Sequence, residues 1–327
     1  MSFFSFQRRP APEVRILVTG CRGKSSLVRL VTVGLLACGR RARGRITGVV
    51  PREIGPEGEF QILRASGAHI SEMRWWLRSL PADTDAVVLE NSAVSPDFQE
   101  AAVRWLDPTL VVFTNVREDH REVWGVGTDD AARVLTRGLA PRVPVVIPSG
   151  EAAHPLVSAA ADRLGCRLVR VPENPDFREG NIALALAACG ASDARGEAVE
   201  AAMRSLPPDI ADFRIFPLEG GELAYAFSAN DVESTTRLFE SLRWLPEETT
   251  LLYNGRGDRP GRDAAFESLF AERRWKGIVR IDSESAGEGD DATLLMSISG
   301  KGHVFGCGNV AGAPLRLLSL LARGSAR

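Results

Sequence analysis

From Arg15 to about Arg204, short apolar runs alternate with longer stretches of helical period, and that alternation predicts a parallel α/β sheet. Strands are expected at Ile16–Thr19, Ala86–Glu90, Leu110–Thr114, Val143–Ile147 and Arg167–Val171. Helices are expected at Ser25–Cys38, Ser71–Leu80, Pro96–Leu106, Asp129–Leu139, Glu151–Leu164 and Asn181–Cys189. The step Leu206-Pro207-Pro208-Asp209 breaks the pattern, because paired prolines end regular structure, and a second βα series follows it. Its strands fall on Leu223–Phe227, Thr250–Tyr253, Gly277–Ile281 and His303–Gly306, and its helices near Glu233–Leu242, Arg262–Trp275 and Ala313–Ala322. The chain therefore divides into a tail over 1–13, a larger α/β domain over 14–208 and a smaller α/β domain over 209–327. Asp282–Asp291, rich in Ser, Glu, Gly and Asp, has turn chemistry and reads as a surface loop.

Length agrees with that division, since 327 residues exceed the usual single core. A formal net charge of −2 gives no global basic field, which argues against nucleic acid as a partner and leaves any anionic substrate to be held locally. The five cysteines have no CxxC spacing, so neither a zinc site nor a disulfide framework is implied, and a reducing cytoplasm suits them. The apolar start Phe3, Phe4 and Phe6 lacks the h-region of a signal peptide, and no run reaches the length of a membrane span. Lysine occurs only at Lys24, Lys276 and Lys301. That scarcity draws attention to Lys24.

Lys24 lies in Val18-Thr19-Gly20-Cys21-Arg22-Gly23-Lys24-Ser25-Ser26, between an apolar strand and an apolar-periodic helix. Glycines there let backbone N–H groups turn inward, the helix start adds partial positive charge, and a lysine can reach β- and γ-phosphates. Ser25 would then face Mg²⁺. Valine stands at position 18, where the standard P-loop pattern has glycine, and the competing reading is a plain glycine-rich βα turn. Glu90 closes the next central strand, and Asn115-Val116-Arg117-Glu118-Asp119-His120 follows the one after it. Carboxylates and imidazoles at strand carboxyl ends are placed to bind a hard cation or to order a loop.

These pieces resemble the Mur ligase superfamily, and within it the ligase subunit of poly-γ-glutamate synthase. The resemblance is carried by Gly20 to Leu30, by Glu90 to Gln99, and by Asn115 to Gly125. In the second domain it is carried by Phe213 to Leu218, Phe227 to Thr235, Asn254 to Arg259, and Gly306 to Gly312. It implies a P-loop central ATPase domain with a parallel sheet, joined to a smaller Rossmann-like C-terminal α/β domain. The implied activity is an ADP-forming ATP-dependent ligase that activates a carboxylate as an acyl phosphate and joins it to an amino-acid amine, with a glutamate-like substrate. The implied cofactors are ATP and Mg²⁺.

Carried over by position, Gly20, Cys21, Arg22, Gly23, Lys24, Ser25 and Ser26 would cradle the nucleotide, with Asn115 beside them. Ser25 and Glu90 would hold a first Mg²⁺, and Glu90 with His120 a second. Asn181 resembles a helix-start asparagine facing the nucleotide, and an N-cap is its other reading. Arg214 and Asp231 would reach phosphate and ribose from the second domain on closure. Arg256, Asp258, Arg259 and Asn309 resemble the lining of the amine-substrate side, against a reading as surface ion pairs. His69 and Glu72 are read as capping the helix they open.

Some features depart from the family. Asn91 and Ser92 replace its usual residues after the glutamate, the membrane-anchoring N-terminal segment is not seen, and the region near Asp282–Ser299 looks short. No room is left for a UDP-binding domain ahead of the phosphate loop. No lysine lies between Lys24 and Lys276, so the carbamylated lysine of many Mur ligases has no counterpart. Open alternatives are a non-polymerising ligase and a catalytically weak nucleotide-binding scaffold. A membrane subunit of a synthase complex and a homo-oligomer are the partner readings, with a cytoplasmic location.

Overall fold

A computed structural model describes residues 11–48, 50–64, 68–150, 153–210, 212–255, 260–281 and 290–324. The chain forms two compact units that meet in sequence at Leu206 and Pro207.

The first unit is built on an eight-stranded sheet. Its strands are β1 (Val14–Thr19), β2 (Ala42–Ile46), β3 (Arg52–Gly55), β4 (Gly58–Gln61), β5 (Ala86–Glu90), β6 (Leu110–Phe113), β7 (Val145–Pro148) and β8 (Leu168–Val171). Their order is β4-β3-β2-β5-β1-β6-β7-β8. The run from β2 to β8 is parallel, whereas β3 and β4 add to β2 as antiparallel edge strands. β2, β3 and β4 lie where the sequence pattern predicts no strand, because Arg43, Arg45, Arg52 and Glu53 interrupt any apolar run. Those charges are paired inside the fold: Arg43 with Glu53 at 2.9 Å, and Arg45 with Glu72 at 2.7 Å.

Alternate residues of the central strands serve two cores, as the period of two demands. Ile16, Val18, Val88 and Val112 pack on one face, against α1 (Lys24–Ala37), α7 (Phe177–Ala191) and α8 (Glu197–Ser205). Leu17, Val87, Leu89, Val111 and Phe113 pack on the other, covered by α2 (Ser71–Ser79), α3 (Pro96–Leu106), α5 (Thr128–Leu135) and α6 (Pro155–Arg163). The short α4 (Arg121–Trp124) follows β6. At the start of α2, His69 Nδ1 accepts from the Ser71 N–H and Glu72 accepts from the His69 N–H at 3.0 Å, while the N-cap position itself is Ile70, with no side-chain capping bond.

One helix boundary corrects the sequence reading. α7 begins at Phe177, where the Asp176 carboxylate accepts from the N–H groups of Arg178 and Glu179, so Asp176 is the cap. Asn181 sits inside the helix and does not cap it. The Asp176 signal lay in a polar stretch without apolar periodicity, which hid the first turn.

The second unit carries a five-stranded sheet in the order β12-β11-β13-β10-β9. These are β9 (Arg214–Leu218), β10 (Gly221–Tyr225), β11 (Thr249–Asn254), β12 (Gly277–Ile281) and β13 (Gly302–Gly308), parallel except for the β9–β10 hairpin. On one face α11 (Asp290–Ile298) and α12 (Ala313–Gly324) cover Leu223, Leu252 and Val304. On the other α9 (Val232–Leu242) and α10 (Pro260–Ala271) cover Leu251, Tyr253 and Phe305. Residues 282–289 of the expected surface loop lie outside the described residues; α11 occupies the stretch after them.

Candidate active site

Strand order decides where chemistry can gather. β1 lies between β5 and β6, so the turns leaving the carboxyl ends of these neighbours meet above the middle of the sheet. The turn after β1 holds the glycine-rich loop, β5 ends in Glu90, and β6 leads into Asn115.

Two backbone conformations shape the loop. Gly20 has φ +123°, and a Cβ placed there would lie 2.1 Å from the Thr114 hydroxyl oxygen. Gly23 has φ +79° and stands at the N-cap of α1, where no side chain accepts a capping hydrogen bond. The first bond of the helix runs from the Leu27 N–H to the Gly23 carbonyl, and its first turn carries no acidic residue. The N–H groups of that turn have no partner four residues back, so they and the helix dipole suit an anion. Gly20→Ala combines backbone strain with overlap and should cost at least about 2 kcal/mol of stability. A denaturant midpoint equal to that of the unaltered protein would contradict this.

The turn after β6 clasps the loop from below. The Cys21 N–H donates to the Asn115 carbonyl at 3.1 Å, the Arg22 N–H donates to Asn115 Oδ1 at 3.1 Å, and Asn115 Nδ2 donates to the Arg22 carbonyl at 3.2 Å. Asn115 thus spends its amide on holding the loop's shape. Arg22 also pairs with Asp119 at 3.3 Å. The Cys21 thiol meets the Arg117 backbone at 3.2 Å, and burial pushes its pKa up, which makes it a packing group rather than a nucleophile.

Lys24 curls back over the loop, donating to the carbonyls of Gly20 at 2.7 Å and Cys21 at 3.0 Å. Burial lowers its pKa, and the charge of Glu90 opposes that shift. Glu90, only 3% exposed, accepts from the Ser25 hydroxyl at 3.2 Å and from the Thr47 N–H at 2.7 Å. Adjacent oxygens around Mg²⁺ lie about 2.9 Å apart when each metal–oxygen bond is near 2.1 Å. The Ser25–Glu90 pair fits two corners of such a shell. Next to the loop, Asn181 from the second turn of α7 puts its Oδ1 3.2 Å from where a Gly23 Cβ would be.

His120 has a left-handed backbone, φ +49°, at the start of α4. Its ring lies 3.8 Å from Asp119, 3.6 Å from Glu122 and, by centroids, 4.9 Å from Trp124. Among the described residues no three His, Cys, Asp or Glu side chains gather to hold a metal.

Supporting polar groups were missed in the sequence. Gln99 accepts from Asn91 at 2.7 Å and from Thr19 at 3.3 Å, and donates to the Ala93 carbonyl at 2.6 Å. Asn91, a departure from the family pattern, is therefore a buried brace behind Glu90. Ser92, the other departure, accepts from the Thr47 hydroxyl at 2.6 Å.

In the second unit Arg214 donates to the carbonyls of Ile210 at 3.1 Å and Asp209 at 3.4 Å and stacks over Phe216. Asp231 caps α9 by accepting from the Ser234 N–H at 2.8 Å. Asn309 follows β13, where its carbonyl accepts from Asn254 Nδ2 and its N–H donates to the Asn254 carbonyl at 2.7 Å. Arg256, Asp258 and Arg259 lie outside the described residues.

Residues 213–324 match the family described as "Poly-gamma-glutamate synthase CapB C-terminal domain". PGA synthase CapB of Bacillus subtilis is 28% identical over 77% of this chain and 70% of its own length. Capsule biosynthesis protein CapB of Bacillus anthracis is 27% identical over 77% of this chain, which spans only 59% of it. Among solved structures, E. coli FolC in complex with DHPP and ADP superposes with a TM-score of 0.66 at 17% identity, over 97% of this chain and 90% of FolC. The chain is thus similar in sequence to poly-γ-glutamate synthases and shares its fold with FolC. A bifunctional folylpolyglutamate synthase/dihydrofolate synthase with Mn, AMPPNP and L-glutamate bound has the same fold, with a TM-score of 0.66 at 18% identity, covering 95% of this chain and 90% of itself. Among the described residues no helix is long and apolar enough to cross a membrane.

Proposed function

We propose that this protein is an ATP- and Mg²⁺-dependent amide ligase that adds glutamate to a glutamate-like acid, forming ADP and phosphate. The observation that carries the reading is the Ser25–Glu90 pair set against a glycine-built phosphate loop on the central strand. ATP supplies the phosphoryl group that turns a poor leaving oxygen into phosphate. The protein's task is then charge and placement. Loop N–H groups and Lys24 offset phosphate charge, Ser25 and Glu90 hold the cation, and the Asn115–Arg22 bonds keep the loop from relaxing. Asn181 flanks the loop, and Arg214, Asp231, Arg256, Asp258, Arg259 and Asn309 are the second unit's contributions to nucleotide and amine. A membrane subunit of a synthase complex is the partner proposed for it.

Acceptor-dependent release of phosphate tests this reading. A panel of acids and amines should yield turnover only with a matched pair, whereas a nucleotide-binding scaffold would bind ATP and release none.

A second cation would draw on Glu90 and His120 with water and substrate oxygens, since Mg²⁺ keeps several waters. Lys276 stands at the edge of β12 in the second unit, with its ammonium on the Lys301 carbonyl at 2.6 Å. Added bicarbonate should therefore leave the rate unchanged. Replacing His120 with alanine should lower the rate by roughly tenfold to a hundredfold, with partial recovery in excess Mg²⁺. An unchanged Mg²⁺ dependence, or bicarbonate activation, would remove His120 from the metal site.

A further inference from the structure

The first unit holds a second cationic site, far from the phosphate loop. A cleft of about 550 Å³ opens between α3, α5, α6 and the 3-10 turn Thr136–Gly138, and Arg104, Arg133, Arg137 and Arg163 line it. Val103 and Leu164 contribute apolar surface to the same cleft. Its volume falls within the range of ligand sites. Helices of a parallel α/β layer run opposite to their strands, so the last turns of α3 and α6, which carry Arg104 and Arg163, lie at the amino ends of the strands. The phosphate loop is at the carboxyl ends.

The four guanidinium groups are not equivalent. Arg133 is occupied by Asp130 at 2.6 Å and Asp129 at 3.8 Å, and Arg137 is paired with Glu100. Arg104 and Arg163 form no ion pair among the described residues, and both are exposed. A last-turn arginine complements the helix dipole, which accounts for each singly. Dipoles do not account for two unpaired arginines converging with two paired ones around one cleft in a chain whose net charge is −2.

We propose that this cleft binds a chain of repeated carboxylates, with guanidinium forks on the carboxylates and methylenes on Val103 and Leu164. The identity of the ligand rests on the ligase reading extended to repeated addition, in which the product is a γ-linked glutamate oligomer whose finished part must lie away from the reacting end. Guanidinium groups fork onto carboxylate and phosphate alike. The apolar surface favours a ligand with methylenes between its charges.

The test uses the full chain with a non-hydrolysable ATP analogue filling the phosphate loop. A γ-linked glutamate oligomer of about eight residues, a γ-linked dimer and tripolyphosphate are titrated in turn by calorimetry. The octamer should bind, and the double variant Arg104→Ala/Arg163→Ala should weaken it at least about tenfold. Arg104→Gln/Arg163→Gln, which keeps a polar hydrogen-bonding side chain without the charge, should weaken it similarly and guards against misfolding. In turnover, KM for the octamer acceptor should rise while kcat/KM for the dimer stays within about twofold, since the dimer cannot reach from one end of the sheet to the other. Octamer binding unchanged in both variants, or tripolyphosphate held more tightly than the octamer, would overturn the proposal. If no acceptor supports turnover but the variants still lose the octamer, the ligase reading fails and the cleft stands.

Discussion

Replacing Lys24 with alanine is expected to lower ATP turnover by about three orders of magnitude with little effect on the fold. An ammonium aimed at phosphate is worth most when charge moves between the transferred group and its leaving oxygen, so the loss should fall on kcat. Stability is balanced. The variant gives up two hydrogen bonds to the loop, each worth about 1 kcal/mol, and is relieved of the cost of burying a charge. The sign of that cost follows from the pKa, which burial holds below the ordinary 10.5. The unfolded chain keeps the proton more readily, so this group's contribution to stability rises as pH climbs through the interval below 10.5. In the alanine variant that rise should vanish. A folded variant with normal turnover would contradict the role given to Lys24.

Glu90→Gln is expected to lower turnover by about a hundredfold or more and to raise the Mg²⁺ concentration needed for half-maximal rate. The amide keeps an oxygen for the Thr47 N–H and leaves the buried site filled, so the fold should persist. What it loses is the charge that attracts a cation beside Ser25 and supports the protonated form of Lys24. The Lys24 and Glu90 substitutions should therefore combine non-additively, the double variant falling less than the product of the two. Full additivity would mean that the residues act at separate sites.

Much of this architecture was legible in the residues. β1, β5 and β6 read clearly because both faces of a central parallel strand are apolar, and the loop after β1 announced itself through Gly20, Gly23 and Lys24. The edge strands β2, β3 and β4 were not legible, since their arginines and glutamates find partners only once the chain is folded. The same reason hid the brace of Thr19, Asn91 and Gln99, whose members are separated by up to 80 positions. Asn115 is expected beside the nucleotide, and its amide spans the Arg22 backbone of the phosphate loop. A hydrogen bond to a neighbouring loop leaves no trace in spacing or periodicity.

In the proposed reaction a carboxylate oxygen of the substrate attacks the γ-phosphorus of ATP and displaces ADP, and that oxygen leaves with phosphate when the amine bonds to the acyl carbon. Turnover with a glutamate-like acid bearing ¹⁸O in its carboxylates, followed by mass analysis of the released phosphate, tests that step directly. The account predicts one labelled oxygen in each phosphate released with amide formation. Unlabelled phosphate, with amide still formed, would contradict it.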